Sequence, residues 1–418
     1  MKRLSAFLFT SILGNKMYDE FNDILGELKD IYVTTDEGYP RVIGYKVKRD
    51  GVTYHYEFRN ISFYSDDNKV KILTRGSKEI LPRTYSYLLS RHLLDKKIVD
   101  INGKQVVRVD DLRIAEIAGE YRVIAVETGP LARFRRIGLL SIGKFIFKII
   151  NKDFEDKVLM WDDVESLEMV NKNLQISVPY KKLSTLHPAD LADILEDLDS
   201  KDRKQILESL DEDLAADTLE EIDPEYKSSI IKELSEAKAA EVLENMSNDE
   251  IADILDDLND EEREKILINL ETEDAEEVKE LLKYEDEAVG SIMSTDFISF
   301  TLDITIGEII EILKESNPED DELNFIYICD EEGKVLGMLT IKDILFSDIN
   351  SKVKEVMKEK LNVLKHDADI DEAIEIAAKY DLLSIPVVDD DDILIGVVST
   401  HDLIDEVLYP TWKKKNKY

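Results

Sequence analysis

Apolar and polar positions alternate along the first 130 residues, and the period then changes twice. Segments 31–33, 42–47, 53–58 and 70–73 carry β-branched and aromatic residues between the turn signals Asp36-Glu37-Gly38 and Arg49-Asp50-Gly51, a pattern that predicts strands. A second passage follows the same plan, with 93–100 running into the hairpin turn Asn102-Gly103 and strands expected over 105–109, 111–118 and 121–127. Near residue 188 the period becomes helical. Leu191-Ala192-Asp193-Ile194-Leu195-Glu196-Asp197-Leu198 returns sixty residues later as Ile251-Ala252-Asp253-Ile254-Leu255-Asp256-Asp257-Leu258, with weaker copies at 216–222 and 240–246. The step beneath these copies is about a dozen residues, one short helix and a turn. A single such helix cannot bury its stripe alone, so the helices must stack as a solenoid. Asp190, Asp211 and Asn248 stand where N-caps are expected, and Pro224 where a first helical turn begins.

Two α/β units close the chain. Helices are expected over 306–314 and 370–380, with apolar strands at 325–330 and 385–389. Each unit ends in Gly-x-x-(Ser/Thr)-x-x-Asp: Gly337 to Thr340 and Asp343, then Gly396 to Ser399 and Asp402. The expected fold is therefore multidomain: small all-β barrels, then an all-α superhelical repeat, then a pair of α/β units.

Charge sharpens this division. Of 418 residues, 92 are acidic and 54 basic, a formal net charge of −38. Residues 1–186 carry net +5, residues 187–286 net −26 and residues 287–418 net −17. Nucleic acid is excluded as a partner by repulsion from phosphates. A face this acidic needs salt, a basic partner or cations to offset it. The single cysteine, Cys329, rules out an internal disulfide framework and a cysteine zinc site and suits a reducing cytoplasmic setting. No run of about 18 apolar residues exists, so no spanning helix is expected. Residues 4–13 read as a buried first element and not as a signal peptide, because no small-residue cleavage site follows. The basic apolar stretch 133–150 reads as a packing element in preference to a membrane-surface helix, because two glycines interrupt it and no clean stripe forms. The five histidines, His55, His92, His187, His366 and His401, are scattered, and no HExxH, P-loop or GxSxG occurs, so no enzyme is expected.

The motifs carry family resemblances. Gly14-Asn15-Lys16-Met17-Tyr18-Asp19 and Asp95-Lys96-Lys97-Ile98-Val99-Asp100-Ile101-Asn102-Gly103 resemble the opening hairpin of PRC-barrel domains, which implies adaptors. Ala237-Lys238-Ala239-Ala240-Glu241-Val242-Leu243 and the passage 284–294 resemble the intracellular N domain of MgtE-type magnesium transporters. The paired Gly-x-x-(Ser/Thr)-x-x-Asp turns resemble CBS domains, which fold as a tandem pair and usually dimerise. On this reading the domains are 1–85 and 86–182 (two PRC-like barrels), 183–284 (the helical repeat), 285–349 and 350–410 (the CBS units) and a basic tail 411–418.

The MgtE resemblance implies a Mg2+ site made by Asp249 and Asp253, one helical turn apart, with Asp369, Asp371, Asp381, Asp402 and Asp405 from the second CBS unit. The CBS resemblance implies an adenine nucleotide, AMP or ATP, at Thr340, Asp343, Ser399 and Asp402, so Asp402 is claimed twice; metal is the favoured reading. Isolated acids on a helix usually form only a solvated face, and so do most of the 92. The chain's last residues, from Pro410 to the basic end, do not continue as the connecting helix those transporters use. The expectation is a magnesium-sensing regulatory protein, a homodimer through its CBS pair, that gates a separately encoded divalent-cation transporter. Its barrels and the 133–148 stretch would supply docking near the membrane. An adenylate-responsive scaffold, with the acids only a solubilising surface, is the alternative.

Overall fold

The computed structural model describes residues 2–34, 38–66, 69–80, 86–139, 156–167, 180–270, 272–285, 287–318, 322–404 and 406–407. The chain divides into two compact units, 1–222 and 223–418. That division falls inside the helical repeat, between its third and fourth helices.

In the first unit, one 11-stranded sheet contains strands from both β passages. The hairpin Val52–Asp66 with Lys69–Glu79 and the pair Ile24–Thr34 with Arg41–Arg49 come from the first copy. Asp111–Ile117 and Glu120–Thr128 come from the second. The copies are exchanged at their openings. Ala6–Leu8, from the first, pairs with Asp111–Ile117 of the second. Tyr87–Leu88, from the second, pairs with Ile24–Thr34 of the first. The division expected at 85/86 therefore does not separate two cores: one buried cluster runs from Phe7, Phe9 and Ile12 through Phe63 and Ile98 to Val126 and Trp161.

Matching buried carboxylates fasten the exchange. Asp111 accepts from the Thr10 backbone N–H at 3.1 Å and from the Thr10 hydroxyl. Asp30 accepts from the Ser90 N–H at 3.1 Å and from the Ser90 hydroxyl. Each also takes the N–H of its own successor, Leu112 at 2.8 Å or Ile31 at 2.9 Å. Burial raises both carboxyls above the ordinary aspartate range, and the hydroxyl and amide donors pull partly the other way. Asp111→Ala leaves two amides and a hydroxyl without their acceptor, so urea melts will show a loss of about 2–3 kcal/mol. Asp111→Asn keeps an acceptor oxygen and will lose much less.

The helix Pro130–Arg136 explains part of the basic stretch. Arg133 bonds Asp110, Arg135 and Arg113 bond Glu127, and Arg136 with Arg108 bonds Asp95. The Arg136 guanidinium, with Arg108 beside it, holds Asp95 at about 2. These arginines are tied to barrel carboxylates, as a packing helix requires. The remainder of that stretch, 140–150, and the tail 411–418 lie outside the described residues.

The repeat has a step of twelve. Among the described residues its helices begin at Pro188, Ser200, Glu212, Pro224, Glu236, Asn248, Asp260 and Thr272. Capping residues precede them by one: Asp199, Asp211, Asp223, Ser235 and Asn259 accept first-turn amides, as does the His187 ring. Two expected caps are displaced. Asp190 lies in the first turn and pairs with Lys104 of the barrel at 2.5 Å. Asn248 is the first helical residue, buried, with Ser247 before it. The repeated arginines share a task. Arg203 donates to the Leu195 and Leu198 carbonyls, each at 3.0 Å, and Arg263 to those of Leu255 at 3.0 Å and Asp256 at 3.2 Å. Each guanidinium thus satisfies the carbonyl end of the preceding helix.

In the second unit, helices Pro224–Glu233, Glu236–Leu243, Asn248–Asp256, Asp260–Leu267 and Thr272–Leu281 precede two three-stranded sheets. Ile298–Thr301 runs parallel to Ile326–Cys329, which pairs antiparallel with Val335–Leu339. Leu364–Lys365, Ser384–Val388 and Leu394–Ser399 repeat the arrangement. The sheets are joined to each other: Tyr327 and Cys329 of one pack with Leu394 and Val397 of the other, and Ser294 exchanges two 2.9 Å backbone bonds with Val397.

Candidate cation face

Apolar positions Ile251, Ile254 and Leu255 bury one side of the helix Asn248–Asp256. Asp249, Glu250 and Asp253 lie in its first two turns. Asp402 comes from the helical segment after the strand Leu394–Ser399. It accepts the Ser399 N–H at 2.8 Å, and its own N–H donates to Ser399 Oγ at 3.2 Å, a reciprocal cap that fixes the carboxylate.

These acids act on one another. Burial, then the charges of Glu250, Asp402 and Asp253, push the Asp249 carboxyl well above the ordinary range. Burial, then Glu250, with Glu406 and Asp256 adding, pushes Asp253 up to about 7, while the Lys227 charge pulls it down. Asp253 keeps a solvent-open side, and water there screens part of the repulsion. Burial also raises Asp402, against the pull of Ser399 and His401, with Glu250 adding to the rise. Asp249 Oδ1 is buried with no hydrogen-bond partner, so an oxygen with lone pairs to give is held away from water.

Of the expected metal-site residues, Asp402 and Asp253 each act on Asp249 through their charge. Asp369, Asp371 and Asp381 are exposed and serve the helix Ile370–Tyr380: Asp369 caps its start by accepting the Asp371 N–H at 2.8 Å, and Asp381 ends it in a left-handed conformation. The charges that act most on Asp249, Asp253 and Asp402 come from other residues. Asp405 lies outside the described residues. Among the described residues no three His, Cys, Asp or Glu side chains converge tightly enough to ligate one ion directly. The side chains present carry hard oxygens, one of them buried and unpartnered, the donor type that Mg2+, Ca2+ and Mn2+ share as a preference.

Sequence reasoning missed three participants: Glu250, Glu406 and Lys227. Lys227 carried a signal, because it stands at an apolar register position three and four residues before the buried Ile230 and Ile231. Asn248 Nδ2 donates to Glu277 Oε2 at 3.0 Å and to Thr295 Oγ1 at 3.2 Å, tying two repeat helices to the segment that leads into the first sheet.

The two Gly-x-x-(Ser/Thr)-x-x-Asp turns differ electrostatically. Thr340 and Asp343 form a full capping box. Asp343 pairs with Lys358 at 2.9 Å, and Thr340 and Lys358 together hold its carboxyl low against the opposing effect of burial. Ser399 and Asp402 make the two backbone-amide bonds of the same box, but the charge that raises Asp402 is that of an acid, Glu250.

A repeat of short capped helices followed by paired βαββ units is a multidomain architecture, and comparison with known proteins specifies it. Residues 186–287 match the MgtE intracellular N domain, residues 289–349 and 353–409 match CBS domains, and residues 5–79 match the PRC-barrel domain. The chain therefore carries a PRC barrel, an MgtE N domain and a CBS pair. The magnesium transporter MgtE of Thermus thermophilus is 30% identical over 125 residues, 30% of this chain and 28% of the relative, so this chain spans under a third of it. A crystal structure of the cytosolic domain of the Mg2+ channel MgtE in complex with ATP superposes with a TM-score of 0.52 at 28% identity, covering 54% of this chain and 93% of that one. The soluble part of a magnesium transporter gives the same score and identity over 55% and 91%. No helix among the described residues is long and apolar enough to cross a membrane.

Proposed function

We propose that this chain is a cytoplasmic magnesium sensor that regulates a separately encoded divalent-cation transporter. The observation that carries the reading is that Asp249 of the N-domain helix, its Oδ1 buried without a partner, feels the charge of Asp402 from the second CBS turn as well as that of Asp253 on its own helix. Without a cation these carboxylates push the two elements apart. Hydrated Mg2+ between them turns the repulsion into bridging, so metal favours a closed arrangement and its loss an open one. Similarity to the cytosolic part of MgtE supports magnesium as the ion and transport as the process regulated. The barrels act as the adaptor that docks the sensor, at a transporter or at the inner membrane face.

An adenine nucleotide, where one binds, belongs at Thr340 and Asp343, because Lys358 offsets phosphate charge there while the acids around Asp402 repel it. The chain pairs with a second copy through its CBS units. Leu345, Phe346 and Ile349 are 71%, 85% and 60% exposed, an apolar patch that association would cover. Phe346→Asp is expected to convert a dimer to a monomer in analytical ultracentrifugation; an unchanged sedimentation coefficient places the interface elsewhere.

The functional test is divalent-cation uptake in cells with and without this chain. Uptake that ceases to respond to internal magnesium on deletion supports the reading, and unchanged regulation refutes it. Calorimetry with Mg2+, AMP and ATP separates the sensor from a scaffold that responds to nucleotide alone.

A further inference from the structure

We propose that Lys227 is a built-in counter-cation that sets how much magnesium the acidic face requires. The inference rests on the cation reading above and concerns its threshold.

Lys227 lies on the helix Pro224–Glu233 on the side that buries Ile230 and Ile231, and only 6% of it is exposed. An ammonium in that position is costly unless paired. Its Nζ donates to Glu250 Oε2 on the helix Asn248–Asp256. Glu250 is the acid common to the face: its charge bears on Asp249, Asp253 and Asp402 alike. Lys227 therefore neutralises the carboxylate that all three of the others feel, and its own charge also reaches Asp253. The ammonium is tethered and singly charged, so it lessens the repulsion without bridging the N-domain helix to the second CBS turn as a divalent ion does. With Lys227 present the face is one charge less negative, and magnesium must be more concentrated to fill it. Without it the face attracts the ion more strongly.

The test is calorimetric titration of the full chain with MgCl2 at pH 8, comparing wild type, Lys227→Met, Glu250→Gln and the double variant, each checked by its thermal melt with and without magnesium. Lys227→Met is expected to bind Mg2+ about tenfold more tightly. Glu250→Gln removes one acid and frees Lys227, so it binds about tenfold or more weakly. The double variant replaces a charge pair by neutral groups and returns to within a few-fold of wild type. If Lys227→Met does not fold, the double variant decides, since exchange of a whole ion pair is well tolerated. Unchanged affinity in Lys227→Met, or a double variant as weak as Glu250→Gln, overturns the proposal. Wild type that binds no magnesium at all overturns instead the reading on which it rests.

Discussion

Replacing Asp249 and Asp253 together by asparagine is expected to raise the melting temperature in EDTA and to abolish its further rise on adding magnesium. Most aspartate replacements at a helix start cost stability, so the sign is diagnostic. Here both carboxyls are pushed upward by burial and by neighbouring acids, and Asp253 reaches about 7. At pH 8 the Asp253 carboxyl ionises against that resistance, and Asp249 either does the same or holds a proton that the unfolded chain has given up. An amide of the same shape does neither, and Asp249 Oδ1 has no hydrogen bond to lose. After allowance for solvent screening at Asp253, the gain is about 2 kcal/mol. For a unit of this size that corresponds to roughly 4–8 °C. The same change removes donors that a hydrated cation needs. Differential scanning calorimetry with and without about 10 mM magnesium checks both parts. A lower melting temperature in EDTA, or a magnesium response that persists, contradicts the assignment of these two residues.

The metal-free protein is expected to be more stable near pH 5.5 than near pH 8, the reverse of a protein held by ion-paired carboxylates. The sign follows from linkage. Asp249, Asp253 and Asp402 have folded-state values above their unfolded ones. Between the two values the folded chain binds more protons, so stability falls as pH rises from about 4 through the folded value, near 7 for Asp253. Asp30 and Asp111, also raised by burial, act in the same direction in the barrel. Asp95, held at about 2, loses its contribution only in strong acid and leaves this window untouched. The expected difference is about 1–3 kcal/mol, and saturating magnesium should remove the part due to the acidic face. Urea titrations at the two pH values, each with EDTA or magnesium, measure it. A metal-free protein that strengthens as pH rises would refute the account of a self-repelling face.

The fold class was legible because its signals are local. The dozen-residue step emerges as helices beginning every twelve residues from Pro188 to Thr272. Pro224 opens its helix as expected. Cap positions were read less well, because the residues that fill them, from His187 to Asn259, are of four kinds and sit beside other acids in the same turn. The exchange of Ala6–Leu8 and Tyr87–Leu88 was not legible, since it joins residues about a hundred or sixty positions apart whose alternation is the same in either pairing. At the face, Asp249 and Asp253 came from the family resemblance, and their one-turn spacing only put them on one side of a helix. Glu250 and Glu406 looked like ordinary solvated acids until the fold set their charges against Asp249 and Asp253. Asp369 and Asp381 came from resemblance, whereas their local bonds are those of helix ends.

The most direct measurement is anomalous diffraction from crystals of the full chain soaked in manganese, an ion with the same preference for oxygen donors. The account predicts a manganese peak between Asp249 and Asp402, within reach of both through ordered water. A map with manganese elsewhere on the surface and none between those two carboxylates would contradict it.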